Sequence, residues 1–196
     1  MRYTERMAAP QLSDRLLTAE EFFELSDPPE GGKMELVCGK VVRHMPVSRK
    51  HARVVVVLIA RLEPFARGHT IGEVLTEAGH LLGRSPDVVL APDVSFVANE
   101  RIPVGGLPDD GFVSVVPTLA IEVVSPNDLD SEVAGKVDDY LAAGVKRVWV
   151  VRPRRATVTV FSGSTSRIIG AGGTLTSDDA GFAVEGFELP VADLFS

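Results

Sequence analysis

Thr118-Leu-Ala-Ile-Glu-Val-Val124 stands ahead of a helical stretch, Asn127 to Ala143, and of a second apolar run, Arg147-Val-Trp-Val-Val151. Both runs are short, apolar and rich in β-branched residues, as buried strands are. Gly144 closes the helix between them and Pro153 ends the second run. A strand–helix–strand unit of this kind returns its second strand parallel to the first through a right-handed crossover. The unit sets the fold class: an α/β (mixed α+β) protein with a mixed β-sheet flanked by helices.

Working toward the N-terminus, Ile71 to Ala78, His80 to Leu82, Val88 to Ala91 and Asp93 to Val97 read as strands, and Asn99 to Gly111 as an exposed loop. Ser48 caps a helix over Arg49 to Arg67, with Val54, Val55, Leu58, Leu62 and Phe65 at helical spacing and Gly68 as its stop. Lys33 to Val37 and Lys40 to Met45 form two strands around Cys38-Gly39. Before them, Thr18-Ala-Glu-Glu21 is a capping box opening a helix over Ala19 to Leu25, stopped by the Pro/Gly-rich stretch 27–32. Toward the C-terminus, Thr157 to Phe161, Arg167 to Ile169 and Phe187 to Phe195 read as small strands. With no internal repeat or long linker, residues 1–17 are expected to be an arm and 18–196 a single domain.

Net charge is −7, which argues against an ordinary nucleic-acid-binding surface; tight binders of DNA usually cluster lysine and arginine. An acidic chain can still act on nucleic acid when its carboxylates gather at a metal site. The single cysteine, Cys38, forms no internal disulfide and reads as a small core hydrophobe. With no signal peptide and no apolar run longer than Val54 to Ala60, the expectation is a cytoplasmic protein without a membrane partner. No zinc spacing, phosphate-cradling loop or nucleophile elbow is present.

Glu122 is the most informative residue. Alternation puts Leu119, Ile121 and Val123 on one face of its strand and Ala120, Glu122 and Val124 on the other. A carboxylate among such neighbours is costly without a cation or metal. Asp93, after Pro92, opens a strand expected beside that of Glu122, and two such carboxylates supply the oxygens that magnesium or manganese prefers. Asp87 also follows a proline, in a context that reads as a plain turn. Lys136 and Tyr140 lie along one edge of the following helix, with Val133, Val137 and Leu141 packing inward. Lys136 is then within reach of a phosphate oxygen or an attacking water. Glu35 and His51 are candidates to line the same cleft, whereas His44, His69 and His80 read as structural.

Pro92-Asp-Val-Ser-Phe-Val97 and Pro117-Thr-Leu-Ala-Ile-Glu-Val-Val-Ser-Pro126 resemble the Uma2 family (DUF820), grouped with restriction endonucleases. So do Lys136-Val-Asp-Asp-Tyr-Leu-Ala-Ala-Gly-Val145 and Val148-Trp-Val-Val-Arg-Pro153, and earlier Met34-Glu-Leu-Val-Cys-Gly39 and Ser48-Arg-Lys-His51. The resemblance spans roughly residues 18–196. It implies a restriction-endonuclease-like PD-(D/E)XK core whose Asp93 and Glu122, with the backbone carbonyl of Val123, hold Mg2+ or Mn2+. The general motif commonly carries lysine two residues after the glutamate, where this chain has Val124; in Uma2-like proteins the following helix supplies it, here as Lys136.

The expected function is therefore a metal-dependent endonuclease acting on nucleic acid, with DNA the leading substrate. A homodimer would let a symmetric pair address both strands of a duplex. The alternatives are an inactive nuclease-fold module that binds nucleic acid or protein, and a metal hydrolase of small phosphate esters.

Overall fold

A computed structural model describes residues 15–25, 32–126 and 128–196. Most of the expected N-terminal arm, the helix stop at 27–31 and Asn127 therefore lie outside the described residues. The capping box forms as read: Thr18 accepts from the Glu21 N–H, and the Glu21 carboxylate accepts from the Thr18 N–H. It opens helix Ala19–Phe23 (α1). Strands Met34–Val37 (β1) and Lys40–Arg43 (β2) follow as a hairpin. Cys38 and Gly39 adopt left-handed φ of 49° and 75°, the two-residue turn that suits the twist of a hairpin. Cys38 is exposed at that turn, which overturns its expected core position.

Ser48 caps helix Arg49–His69 (α2), its hydroxyl accepting from the His51 N–H. Strands Gly72–Leu75 (β3), His80–Gly83 (β4), Val88–Leu90 (β5) and Val94–Ala98 (β6) come next. The decisive unit is Leu119–Val123 (β7), Asp130–Ala142 (α3) and Arg147–Arg152 (β8). Strands Thr157–Ser162 (β9) and Thr165–Gly170 (β10) follow. Thr174–Thr176 (β11), Ser177–Ala180 (α4) and Glu188–Pro190 (β12) come next, and the expected final strand over Phe187 to Phe195 gives way after Pro190 to a 3-10 turn at Val191–Phe195 that buries Val191 and Leu194. The three-residue β11 and the single-turn α4 are too short to leave a periodic signal, and the sequence reading did not contain them.

The six-stranded sheet runs β10-β9-β8-β7-β6-β3, and β7 and β8 are parallel while its other neighbours are antiparallel. It is therefore mixed, as expected. Val54, Leu58, Leu62 and Ala66 of α2 pack on one face with Leu119, Ile121, Val123 and Trp149. Val133, Val137 and Tyr140 of α3 pack on the other with Ala120, Val148 and Val150. A second sheet, β2-β1-β5-β4, lies beside this face, because Leu90 joins the α3 core.

Two helix boundaries and the placement of Tyr140 differ from the sequence reading. The α3 helix starts at Asp130 because the Asp128 carboxylate accepts from the Ser125 N–H (2.7 Å) and holds the chain in a turn. Tyr140, expected on the edge, is fully buried, and Leu141 is half-buried. The α2 helix runs through Gly68 and ends at Thr70, which takes the left-handed cap at φ 52°, ψ 48°. The Asn99 side chain pins this cap by donating to the Thr70 carbonyl (2.7 Å). A β-branched residue is strained there and glycine is not. Thr70→Gly is expected to stabilise the fold by about 1 kcal/mol, read as a higher midpoint in thermal unfolding; a lower midpoint would show that the Thr70 side chain contributes more than its backbone costs.

Candidate active site

The register of β6 on β7 brings two carboxylates together. Val94 pairs with Ile121, so the preceding residue, Asp93, stands opposite Glu122. Asp93 Oδ2 accepts the Val123 N–H (2.7 Å), and Oδ1 lies 3.2 Å from Lys33 Nζ and 3.4 Å from His51 Nε2. Lys33 also donates to the Ala91 carbonyl (2.6 Å).

The second sheet contributes Glu35. Leu36 of β1 pairs with Val89 of β5, and the Ala91 N–H beyond β5 donates to Glu35 Oε1 (2.9 Å). One turn of α3 then supplies the partners of Glu122. Tyr140 donates to Oε1 (2.7 Å) and Lys136 to Oε2 (3.2 Å). Lys136 also lies 3.1 Å from Glu35 Oε1 and 2.8 Å from Oε2, so it bridges the two glutamates.

His44 Nε2 is 2.5 Å from Glu35 Oε2, yet both atoms lack a hydrogen-bond partner of acceptable geometry. The contact is one of charge, available when the imidazole is protonated. His51 turns its other nitrogen to Ser125 Oγ (3.1 Å). All of these side chains except Glu35 and Tyr140 line one cleft of about 370 Å³, together with Val123.

Electrostatics divide the carboxylates. Burial opposes ionisation of Glu35, but His44, Lys136 and Lys33 outweigh it and hold the carboxyl at about 2. Burial likewise opposes ionisation of Asp93, and His51, Lys33 and the Val123 N–H pull it well below the usual carboxylate range. Glu122 goes the other way: burial raises it, Asp93 and Glu35 repel its charge, and Lys136 and Lys33 offset this only in part. Burial works against the charge on Lys136, but Glu122 and Glu35 raise its pKa, so it stays protonated. Lys33 behaves alike, its burial outweighed by Glu122, Asp93 and Glu35.

The structure thus brings together Asp93, Glu122, Lys136, Glu35, His51, Tyr140 and Val123. Asp87 is elsewhere: it accepts the Ala19 N–H and pairs with Arg84, both at 2.8 Å. His80 is structural as read, with Val115 O and Ser95 Oγ as partners. His44 is not merely structural, since it contacts Glu35 and lines the cleft. Lys33 was missed, although alternation from Glu35 puts it on the same strand face. The tight turn at Cys38-Gly39 then sets His44 opposite Lys33, whose carbonyl accepts the His44 N–H.

For a metal, donor chemistry and charge fit. Three buried carboxylates, Glu35, Asp93 and Glu122, face two lysines, which leaves one negative charge uncompensated while the imidazoles are neutral. The oxygens are of the hard type that Mg2+ and Mn2+ take. Among the described residues no group of three His, Cys, Asp or Glu side chains is arranged to hold an ion alone. A backbone carbonyl and water would have to complete such a site.

With fold and site defined, the relatives can be named. A described crystal structure from Anabaena variabilis ATCC 29413, a "putative nuclease belonging to DUF820" at 1.96 Å resolution, matches with a TM-score of 0.73. The match covers 91% of this chain and 97% of that one at 21% identity, a likeness of fold. The chain belongs to the Uma2 family, described as "Putative restriction endonuclease", whose model matches residues 19–192. No curated protein matches the sequence.

The opposite shifts of the two glutamates predict opposite effects of neutralisation. Glu35→Gln is expected to cost about 3 kcal/mol, as loss of one partner of a buried pair does. Because the folded pKa of Glu35 lies below its unfolded value, its contribution is present above about 4.5 and fades as pH falls toward 2, so the deficit should shrink over that window. Glu122→Gln removes a charge that the folded state disfavours at neutral pH, and should raise the melting midpoint. Thermal unfolding of both variants at pH 7 checks this; equal losses of stability would contradict the division.

Proposed function

We propose that the protein is a Mg2+- or Mn2+-dependent endonuclease that hydrolyses phosphodiester bonds of nucleic acid, with DNA the leading substrate. The observation that carries this reading is the buried cluster in which Asp93, Glu122 and Glu35 exceed Lys33 and Lys136 by one negative charge. Membership of the Uma2 family supports it.

Asp93 and Glu122 would hold the ion, with the Val123 carbonyl as a third oxygen. Bound there, it would supply Lewis-acid polarisation of the phosphoryl oxygen and an acidified water. Lys136 stays protonated beside Glu122, so its role is to stabilise charge on the pentavalent phosphorus rather than to accept a proton. Glu35 positions Lys136, and Tyr140 fixes the rotamer of Glu122. Lys33 and His51 hold Asp93 from two sides, which limits the directions in which its carboxylate can turn.

One observation favours a second reading, an inactive module. Lys33 and Lys136 already satisfy oxygens of Asp93 and Glu122 without any ion. Metal affinity separates the two. Calorimetric titration of Mn2+ should show binding by the wild type that Asp93→Ala and Glu122→Ala abolish. Lys136→Ala should keep metal binding and lose about 10²–10³-fold in kcat on plasmid DNA, the usual cost of one transition-state charge stabiliser. Absence of binding at millimolar metal, or cleavage untouched by these substitutions, would overturn the endonuclease reading.

A further inference from the structure

Most cations of this acidic chain outside the cleft are engaged. Arg61 pairs with Asp193, Arg84 with Glu20 and Asp87, Lys146 with Glu100 and Arg147 with Asp178. Apart from Lys40 at the hairpin tip, the described arginines and lysines with no hydrogen-bond or ion-pair partner among the described residues are Arg43, Arg49, Lys50, Arg53, Arg154 and Arg155. Their places are not scattered. Arg43 lines the mouth of the cleft. Arg49, Lys50 and Arg53 are exposed at the start of α2, on either side of His51, which lies in the cleft.

These three cations are placed against local energetics. Arg49 and Lys50 sit in the first turn, at the positive end of the helix dipole, where acidic residues are favoured and this helix has none. Arg49 and Arg53 are also four residues apart on one helix face and repel each other. A surface that keeps such an arrangement with no counter-charge among the described residues is suited to an external polyanion.

On the other side, Arg154 and Arg155 are exposed in the turn between β8 and β9. They line a groove of about 350 Å³ with Arg152, which Asp130 holds at 2.7 Å. That groove and the cleft share Ser125, Pro126 and Asp128 as a common wall. The unpaired cations thus form two arms with the carboxylate cluster between them.

We infer that a phosphodiester strand runs through the cleft, held by Arg43, Arg49, Lys50 and Arg53 on one side of the scissile phosphate and by Arg154 and Arg155 on the other. The inference rests on the cleft being a phosphodiesterase site. It specifies the substrate as a polymer cut internally, since a mononucleotide ester does not extend to both arms. It also gives a chain of net charge −7 exposed cations on both sides of the carboxylate cluster.

The test is a fluorescence-anisotropy titration of a labelled DNA duplex, a DNA single strand and an RNA single strand over a range of salt. All proteins carry Glu122→Gln so that the strand is not cut. Arg154→Ala/Arg155→Ala should reduce the slope of log K against log salt by about 1.4–1.8, as loss of two phosphate contacts does. Lys50→Ala/Arg53→Ala should do the same, whereas Arg61→Ala/Arg67→Ala, which removes equal charge far along α2, should leave the slope unchanged. Circular dichroism checks that each exposed pair is replaced without unfolding. Salt-dependent binding by the Glu122→Gln protein with unchanged slopes in both arm variants overturns the track alone. No binding of any of the three nucleic acids by the Glu122→Gln protein overturns the cleft reading along with it.

Discussion

Three carboxylates buried around two lysines are the constraint on which this molecule is built. Removing such charges from water costs several kcal/mol per ion, and only good partners in fixed places offset it. The five residues come from four elements. Lys33 and Glu35 belong to the hairpin, Asp93 and Glu122 to adjacent strands of the large sheet, and Lys136 to the helix that covers it. The fold brings these elements together, and once together they are held by the same charges. A cluster of this kind is expensive as a fold stabiliser, which is why its persistence argues for chemistry.

The rest of the structure keeps the cluster dry on one side and open on the other. Tyr140 and Glu35 are fully buried beneath it, and the apolar residues of α3 seal the sheet face behind. His51 enters from the start of α2, whose far end is anchored in the main core by Leu58, Leu62 and Ala66. The site is therefore carried mostly by regular elements, not loops, and its side chains have little freedom to drift.

Much of this was legible in sequence because period and polarity disagree at the informative residues. Glu122 breaks an apolar strand and could be assigned to a face, and the one-turn spacing put Tyr140 beside Lys136 although not in the core where it lies. The crossover from β7 to β8 followed from order alone. What was not legible depends on pairing between distant segments. Lys33 looks like an ordinary strand-edge lysine until β1 joins β5, and His44 like a structural residue until the hairpin register is known. Asp87 and Asp93 both follow proline; the turn context set Asp87 apart in the sequence, and it accepts the Ala19 N–H and pairs with Arg84 away from the site. Cys38 was misplaced because a turn needing left-handed φ is indifferent to hydrophobicity.

The lysine displaced from the strand to the helix has a geometric explanation. Residue 124 shares a sheet face with Ala120 and Glu122, and this is the face that α3 covers. Val124 packs there among the apolar residues of α3, which leaves room for a lysine only above the strand. Lys136 projects from the covering helix into that space and reaches Glu122 and Glu35 at once. A lysine at 124 would take the place of Val124 against this apolar cluster and would lose that packing. Moving the cation to α3 keeps the charge beside Glu122 and the apolar contact beneath it, so the same chemistry is compatible with a better-packed sheet.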